Sequence, residues 1–347
     1  MALSLPPIAE TIHFVGSVCL PSTRSVYHRI CTSLGTHIRR LPDGEPGKRS
    51  DFILWQRDVF KSHPSLLRAS VSAPSRATDI NLNIENFKLG PLEYDTHAIS
   101  SYRIFCTLRD EGIILPGVRF QVCLPTPINI LCNLIEQAYR PHVEPLYESA
   151  LLDVIAKIQD NIPAHDLAIQ FDCPSEFAFL EGVASVPVDW FAPIKEGLIE
   201  RVVRIASAVH DSVELGFHLC YGDFDHKHFV EPTDTAIMVD FANSIKSSLS
   251  RHINWIHMPV PKGRTDALYF APLEHLDLGE TELYLGLLHA EDEEGTRGSI
   301  QAANTYVPEF GVATECGLGR ADSTEFEDVL SLIQKLLSGA CGCSDQQ

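Results

Sequence analysis

Glu214-Leu215-Gly216-Phe217-His218-Leu219-Cys220-Tyr221-Gly222-Asp223 is an apolar run of strand length that ends in a His-x-Cys pair and then breaks into a loop. Alternation along a strand puts His218 and Cys220 on one face, at its carboxyl end. Outward in both directions the pattern recurs. Residues 12–15, 118–123, 167–171, 253–257, 283–288 and 310–313 are short, β-rich runs that tend to finish in small or polar residues. Between them, residues 139–161, 190–212, 234–250 and 323–337 carry amphipathic patterns long enough for helices that cover a parallel sheet. Seven or eight such units predict an α/β protein, a single closed (β/α)8 barrel with loop insertions.

The 347 residues are 45% hydrophobic and 21% charged, a globular balance that excludes a disordered, collagenous or low-complexity chain. No repeat recurs at a fixed period and no Gly/Ser- or Pro-rich linker separates two cores, so residues 1–338 read as one domain and 339–347 as a flexible tail. Residues 62–101 and 262–279 look less regular and are candidate insertions or lids. With 27 basic and 46 acidic residues, the net charge of −19 repels a phosphate backbone, which argues against nucleic acid as a partner. No apolar run approaches the ~20 residues needed to cross a bilayer, and residues 1–14 lack a basic region followed by a continuous apolar stretch, so a soluble, cytoplasmic protein is expected. Ten cysteines without regular spacing read mostly as reduced thiols. Oligomeric state is not written in the pattern.

In a barrel, strand ends and the loops that follow them form the active-site mouth. His218 and Cys220 would point into it. Ala313-Thr314-Glu315-Cys316-Gly317-Leu318-Gly319-Arg320 offers Cys316 as a third metal ligand, and Trp255-Ile256-His257-Met258-Pro259 offers His257 as a fourth. Two nitrogens and two sulfurs suit tetrahedral zinc, against the plainer reading of buried cysteines as small hydrophobes. A second set is acidic: Asp43 and Glu45 in the turn 41–49, and Asp172 at the end of Ile169-Gln170-Phe171-Asp172. Such carboxylates bind an ammonium, orient a ligand or move protons, or else simply cap turns. Ser17 ends the similar segment Phe14-Val15-Gly16-Ser17. His289, after a strand-like run and before an acidic loop, suits a general acid or base, whereas the polar run 223–228 reads as a solvated loop. Nucleophile-elbow, P-loop and dinucleotide-binding glycine motifs are absent.

Taken in order, five segments resemble the catalytic C-terminal barrel of cobalamin-independent methionine synthase, within the wider group that holds uroporphyrinogen-decarboxylase-like barrels. Phe14-Val15-Gly16-Ser17 resembles its early Ile-Gly-Ser, and Asp43-Gly44-Glu45-Pro46-Gly47-Lys48-Arg49-Ser50-Asp51 its His-Gly-Glu-x-x-Arg-Asn-Asp loop. Ile169-Gln170-Phe171-Asp172-Cys173-Pro174 resembles Ile-Gln-Ile-Asp-Glu-Pro, His218-Leu219-Cys220-Tyr221 resembles His-Met-Cys-Tyr, and Glu315-Cys316-Gly317-Leu318-Gly319-Arg320 resembles Asp-Cys-Gly-Leu-Lys-x-Arg. The resemblance implies a zinc-dependent methyl or alkyl transferase, with zinc held by His218, Cys220 and Cys316 and activating a small thiol substrate. It further implies that Ser17, Glu45 and Asp172 bind the amino-acid portion of that substrate, that His289 is the active-site histidine, and that folate or another alkyl donor is the co-substrate; Asp43 and Arg49 in the same loop are candidate substrate contacts beside them, and Asp172 with His289 a candidate acid–base pair. Two positions depart from the pattern: His257 stands where the family has a glutamate ligand, and Cys173 where it has the glutamate of Asp-Glu-Pro. The barrel alternatively suits a diverged lyase, decarboxylase or hydrolase of a small metabolite, or a non-catalytic binding protein.

Overall fold

Short apolar runs become strands here because each is covered by helices on its outer side and by its own side chains within. The computed structural model describes residues 11–70, 87–183, 190–222 and 227–341. Eight strands are β1 (Ile12–His13), β2 (Arg40–Pro42), β3 (Arg119–Pro125), β4 (Leu167–Cys173), β5 (Glu214–Leu219), β6 (Trp255–Pro259), β7 (Glu282–Gly286) and β8 (Gly311–Ala313). They lie in the order β1-β8-β7-β6-β5-β4-β3-β2, every pair parallel. Single parallel bridges from Ile12 to Ile38 and from Ser17 to Gly44 join the two ends, so the sheet nearly closes into the expected barrel.

Seven strands fall on the runs named above, and β5 has the bounds read from its sequence. β2 escaped because Arg-Leu-Pro holds a single apolar side chain. The helices Arg140–Asn161, Ile194–Ala206, Ala236–Ser248 and Ser323–Cys341 lie on the four amphipathic patterns. Helix Tyr94–Asp110, by contrast, begins in a stretch read as irregular: its buried stripe is Tyr94, Ala98, Ser101, Phe105 and Leu108, helically spaced but weakly apolar at its centre. The helix extends past that stretch, 62–101, within which 71–86 lie outside the described residues. Residues 262–279 hold only the helical turns Ala267–Phe270 and Ala271–His275. The last helix, Ser323–Cys341, runs into the segment 339–347 read as a tail, of which 342–347 lie outside the described residues. Cysteines 19, 31, 106, 123, 132, 173, 220 and 316 are free thiols. Among the described residues no helix is long and apolar enough to cross a membrane.

Strand register stacks the barrel interior in layers. Gln170 pairs with Gly216, and Gly216 with Trp255, whose fully buried indole fills the interior. Below it the Arg40 guanidinium lies 4.2 Å from the centre of the Trp255 ring system and pairs with Glu214 at 2.5 Å and Glu282 at 2.8 Å. One layer above the indole, Asp172 pairs with His218 and His218 with His257. The packed layer thus forms a floor, and the polar row of β4, β5 and β6 stands on it at the carboxyl ends of the strands.

Candidate metal centre

His218 lies in β5, Cys220 just beyond its end, and Cys316 in the loop after β8, so the ends of two strands separated by β6 and β7 converge at the mouth. One ligand atom from each lies within 4.8 Å of the others, and the two sulfurs are 4.0 Å apart. His218 Nε2 is buried and has no hydrogen-bond partner among the described residues. A buried polar atom left in this state costs about 1–3 kcal/mol, unless something outside the chain takes its lone pair. An imidazole nitrogen and two thiolates are what zinc takes, and the Gly222 N–H donates to Cys220 Sγ at 3.3 Å, a contact that supports a thiolate. The donor set therefore fits zinc. Without a metal, the neighbouring Cys316 thiol and burial push the Cys220 pKa well up.

His257 does not complete a four-ligand set. Its Nδ1 faces His218 Nδ1 at 2.7 Å and its Nε2 faces the Thr314 carbonyl oxygen at 3.0 Å, so neither nitrogen is free. Burial lowers the His257 pKa to about 3 and holds His218 well below the ordinary histidine value, so both rings are neutral at pH 7. The two-nitrogen, two-sulfur tetrahedron expected from the strand ends is replaced by three donors with a histidine behind them.

Cys220 and Cys316 line a cavity of about 480 Å³, open at the mouth, whose polar wall includes His228, Lys262, His289 and Glu315. Its size suits a small-molecule ligand. Glu315 is held between two histidines, 2.8 Å from His228 Nε2 and 3.3 Å from His289 Nδ1. His289 Nε2 meets the Val260 carbonyl at 3.1 Å and must donate to it, so its Nδ1 offers a lone pair to the carboxylate. A proton taken up on His289 Nδ1 would be donated to Glu315, which places the ring where it can accept a proton and pass it on. Burial lowers the His289 pKa, against the opposing charge of Glu315.

His228 corrects the reading of 223–228 as a solvated loop: its side chain is 13% exposed and turned onto Glu315, while 223–226 lie outside the described residues. Burial lowers its pKa, but hydrogen bonds and charge from Glu315 and Glu231 outweigh this and raise it to about 9. Because the folded value exceeds the unfolded ~6.5, the pair's stabilisation is complete below pH 6.5 and is lost as pH rises through 9. His228→Gln is expected to remove that alkaline loss. Thermal melts between pH 6 and 10 check it, and parallel pH profiles in the two proteins would refute the pairing. Glu315 could have been noticed in the sequence, since it precedes Cys316; His228 had no local signal.

The acidic set divides. Asp43 accepts from Glu45 N at 2.9 Å, Ser101 Oγ at 2.6 Å and Arg49 at 2.7 and 3.3 Å, with Asp43 and Arg49 both buried. Asp43 and Arg49 are thus paired with each other, and Asp43 also caps the turn at Glu45, the role weighed against substrate binding. Glu45 and Asp172 differ. Burial pushes the Glu45 pKa up to about 8, with Asp43 and Asp172 adding to the rise and Arg49 opposing it. Burial likewise raises Asp172 well above the usual carboxylate range, against one hydrogen bond from Gln170 Nε2 at 2.8 Å. Gly16 lies beside this cluster, where a Cβ would make ordinary contacts, 3.4 Å from Cys123 Sγ and 3.8 Å from Glu45 Oε2. Ser17 accepts the Leu318 N–H through its carbonyl at 2.7 Å, and its Oγ lies 2.5 Å from where a Gly317 Cβ would be. Ser17 thus touches the loop of Cys316, although Ser17, Glu45 and Asp172 flank the cavity and do not line it.

No protein-family model matches the chain, and no curated protein matches it. Solved structures do. One, from Listeria monocytogenes and assigned as a vitamin-B12-independent methionine synthase, is 13% identical with a TM-score of 0.54, over 99% of each chain. Another, a B12-independent methionine synthase from Shewanella sp. W3-18-1 in complex with selenomethionine, is 15% identical with a TM-score of 0.56, over 97% of each chain. At these identities the likeness is one of fold: the chain is built on the same (β/α)8 barrel as these methionine-synthase structures.

Proposed function

We propose that this chain is a zinc-dependent transferase that moves a methyl or other alkyl group onto a small thiol at the barrel mouth. The observation that carries this reading is the cluster of His218, Cys220 and Cys316, one ligand atom of each within 4.8 Å of the others, with His218 Nε2 unpartnered among the described residues and both cysteines at the wall of an open cavity. Zinc, when bound, lowers a thiol's pKa so that it is the nucleophilic thiolate near neutral pH. Glu45 and Asp172 bind the ammonium of an amino-bearing thiol: two desolvated carboxyls with raised pKa, Asp172 buried and Glu45 half-buried, gain most from a cation that favours their ionised forms. His289 accepts a proton at the cavity wall and passes it to Glu315, from which a departing donor group collects it. The open cavity leaves space for folate or another alkyl donor, and it argues against a plugged, non-catalytic barrel.

Thiols are screened with methylfolate and other alkyl donors, and a thioether product identified by mass spectrometry supports the reading. Binding gives a sharper test. Glu45 must lose its proton to hold an ammonium, so amino-thiol affinity is expected to rise up to about tenfold per pH unit from pH 6 to 8 and then level. Glu45→Gln should weaken binding about tenfold to a hundredfold and flatten the profile. Calorimetry that finds the same slope in both proteins would remove Glu45 from the substrate site. A second reading, metal-free acid–base chemistry on a small metabolite, is favoured by the His228–Glu315–His289 group. Protein that takes up no zinc yet binds small acids would select it.

A further inference from the structure

We propose that His257 is a positioning residue: it fixes the ring and tautomer of His218 and leaves the fourth place at the metal open to the cavity. The inference rests on reading His218, Cys220 and Cys316 as the metal-binding trio.

A carbonyl oxygen only accepts, so at 3.0 Å from the Thr314 oxygen His257 Nε2 must carry a proton. A neutral ring then has a bare Nδ1. That Nδ1 is 2.7 Å from His218 Nδ1, which must be the donor. The proton of a neutral His218 is thus committed to Nδ1, and Nε2 is left with a lone pair and no partner among the described residues. Thr314, His257 and His218 form one chain whose open end is His218 Nε2, on the residue grouped with the two thiols. Adjacent strand register holds the rings side by side, both buried, with centroids 4.7 Å apart. Thr314 ties the chain to the third ligand as well, because its Oγ1 donates to the Cys316 carbonyl at 2.7 Å.

Substrate access follows. Among the described residues the donor group at this site has three members, and three protein ligands with one open position is the layout of a reactive zinc site. A carboxylate ligand at position 257 would fill the fourth place and have to leave before a thiolate entered. His257 instead turns both nitrogens away from the metal. An incoming thiol meets no protein anion competing for the place, and it arrives from the cavity that Cys220 and Cys316 line.

Long-range ¹H–¹⁵N spectra of the metal-free wild-type protein read the tautomers directly. The expected result is a proton on Nδ1 of His218 and on Nε2 of His257; a proton on Nε2 of His218 overturns the proposal. Zinc affinity is then measured by chelator competition. His257→Asn places an acceptor oxygen near the lost Nδ1 and should hold zinc within about threefold of wild type, whereas His257→Leu should weaken it about tenfold to a hundredfold. Equal losses in both variants overturn the positioning role. Cobalt(II) gives the coordination readout: adding 2-mercaptoethanol should shift the visible bands of wild type and His257→Asn alike, and an unresponsive spectrum in both means the fourth place is closed. If His257→Leu does not fold, the wild-type spectra and the Asn variant still decide. Full zinc retention in Cys220→Ser would instead defeat the trio, a failure separate from that of His257.

Discussion

Cys220→Ser is expected to strip zinc from the protein while leaving the barrel folded. Cys220 is buried at 4.0 Å from the Cys316 sulfur, at the rim beyond β5, so a serine there changes one atom at the cavity wall and leaves the core packing intact. A neutral hydroxyl cannot supply the thiolate charge. With apparent zinc affinities of roughly 10–16 kcal/mol in structural sites, losing one anionic ligand of three is expected to weaken binding by a hundredfold or more. Cys316→Ser should behave in the same way. Cys173 provides the contrast, being fully buried with a long 3.9 Å approach of its thiol to the Phe171 carbonyl. Cys173→Ser should lower stability and keep the metal. Metal content is read by mass spectrometry on protein purified without added zinc or a metal-affinity tag, with thermal melts alongside. About one zinc per chain, lost in both ligand variants, supports thiolate chemistry; stoichiometric zinc in both variants would sink the assignment.

Gly216→Ala is expected to be among the most destabilising small substitutions in the chain, although Gly216 makes no polar side-chain contact. A Cβ there would lie 1.9 Å from Trp255 Cε2 and 2.1 Å from Cδ2, inside any permissible contact. The indole cannot retreat, since it is fully buried and backed by the Arg40 guanidinium. Overpacking of a rigid core commonly costs about 1–3 kcal/mol, and overlap with a fixed ring places this substitution at or beyond the top of that range. His218 on β5 and His257 on β6 each stand two residues beyond this contact, so the zinc site should loosen with the floor. The discriminating measurement is a double-mutant cycle by denaturant unfolding. Trp255→Leu frees the volume that Ala needs, so the double variant should be markedly less destabilised than the sum of the singles. Simple additivity would show that the two side chains do not meet.

The barrel was legible because its signal is local. Apolar runs of strand length, separated by amphipathic stretches, need no knowledge of what packs on what, and seven of eight strands follow from them. β2 and helix Tyr94–Asp110 failed the same test for one reason: burial there comes from neighbours, through Arg40 and Pro42 in one case and Ala98 and Ser101 in the other. In the site, His218, Cys220 and Cys316 could be named from strand-end motifs, because alternation and the barrel rim place them irrespective of what lies beside them.

What the sequence by itself determined, then, is the parallel α/β rhythm, the residues that reach the mouth and the acidic balance that surrounds them. Tertiary structure alone decided their employment. It paired Asp43 with Arg49, turned His228 onto Glu315, and set His257 behind His218 instead of beside the thiols. The physical reason is range. Which face a side chain takes is fixed by its own backbone, but which nitrogen stays free depends on a hydrogen-bond chain that runs 39 residues from His218 to His257 and 57 more to Thr314. No local pattern encodes a partner at that separation; only strand register brings it within 3 Å.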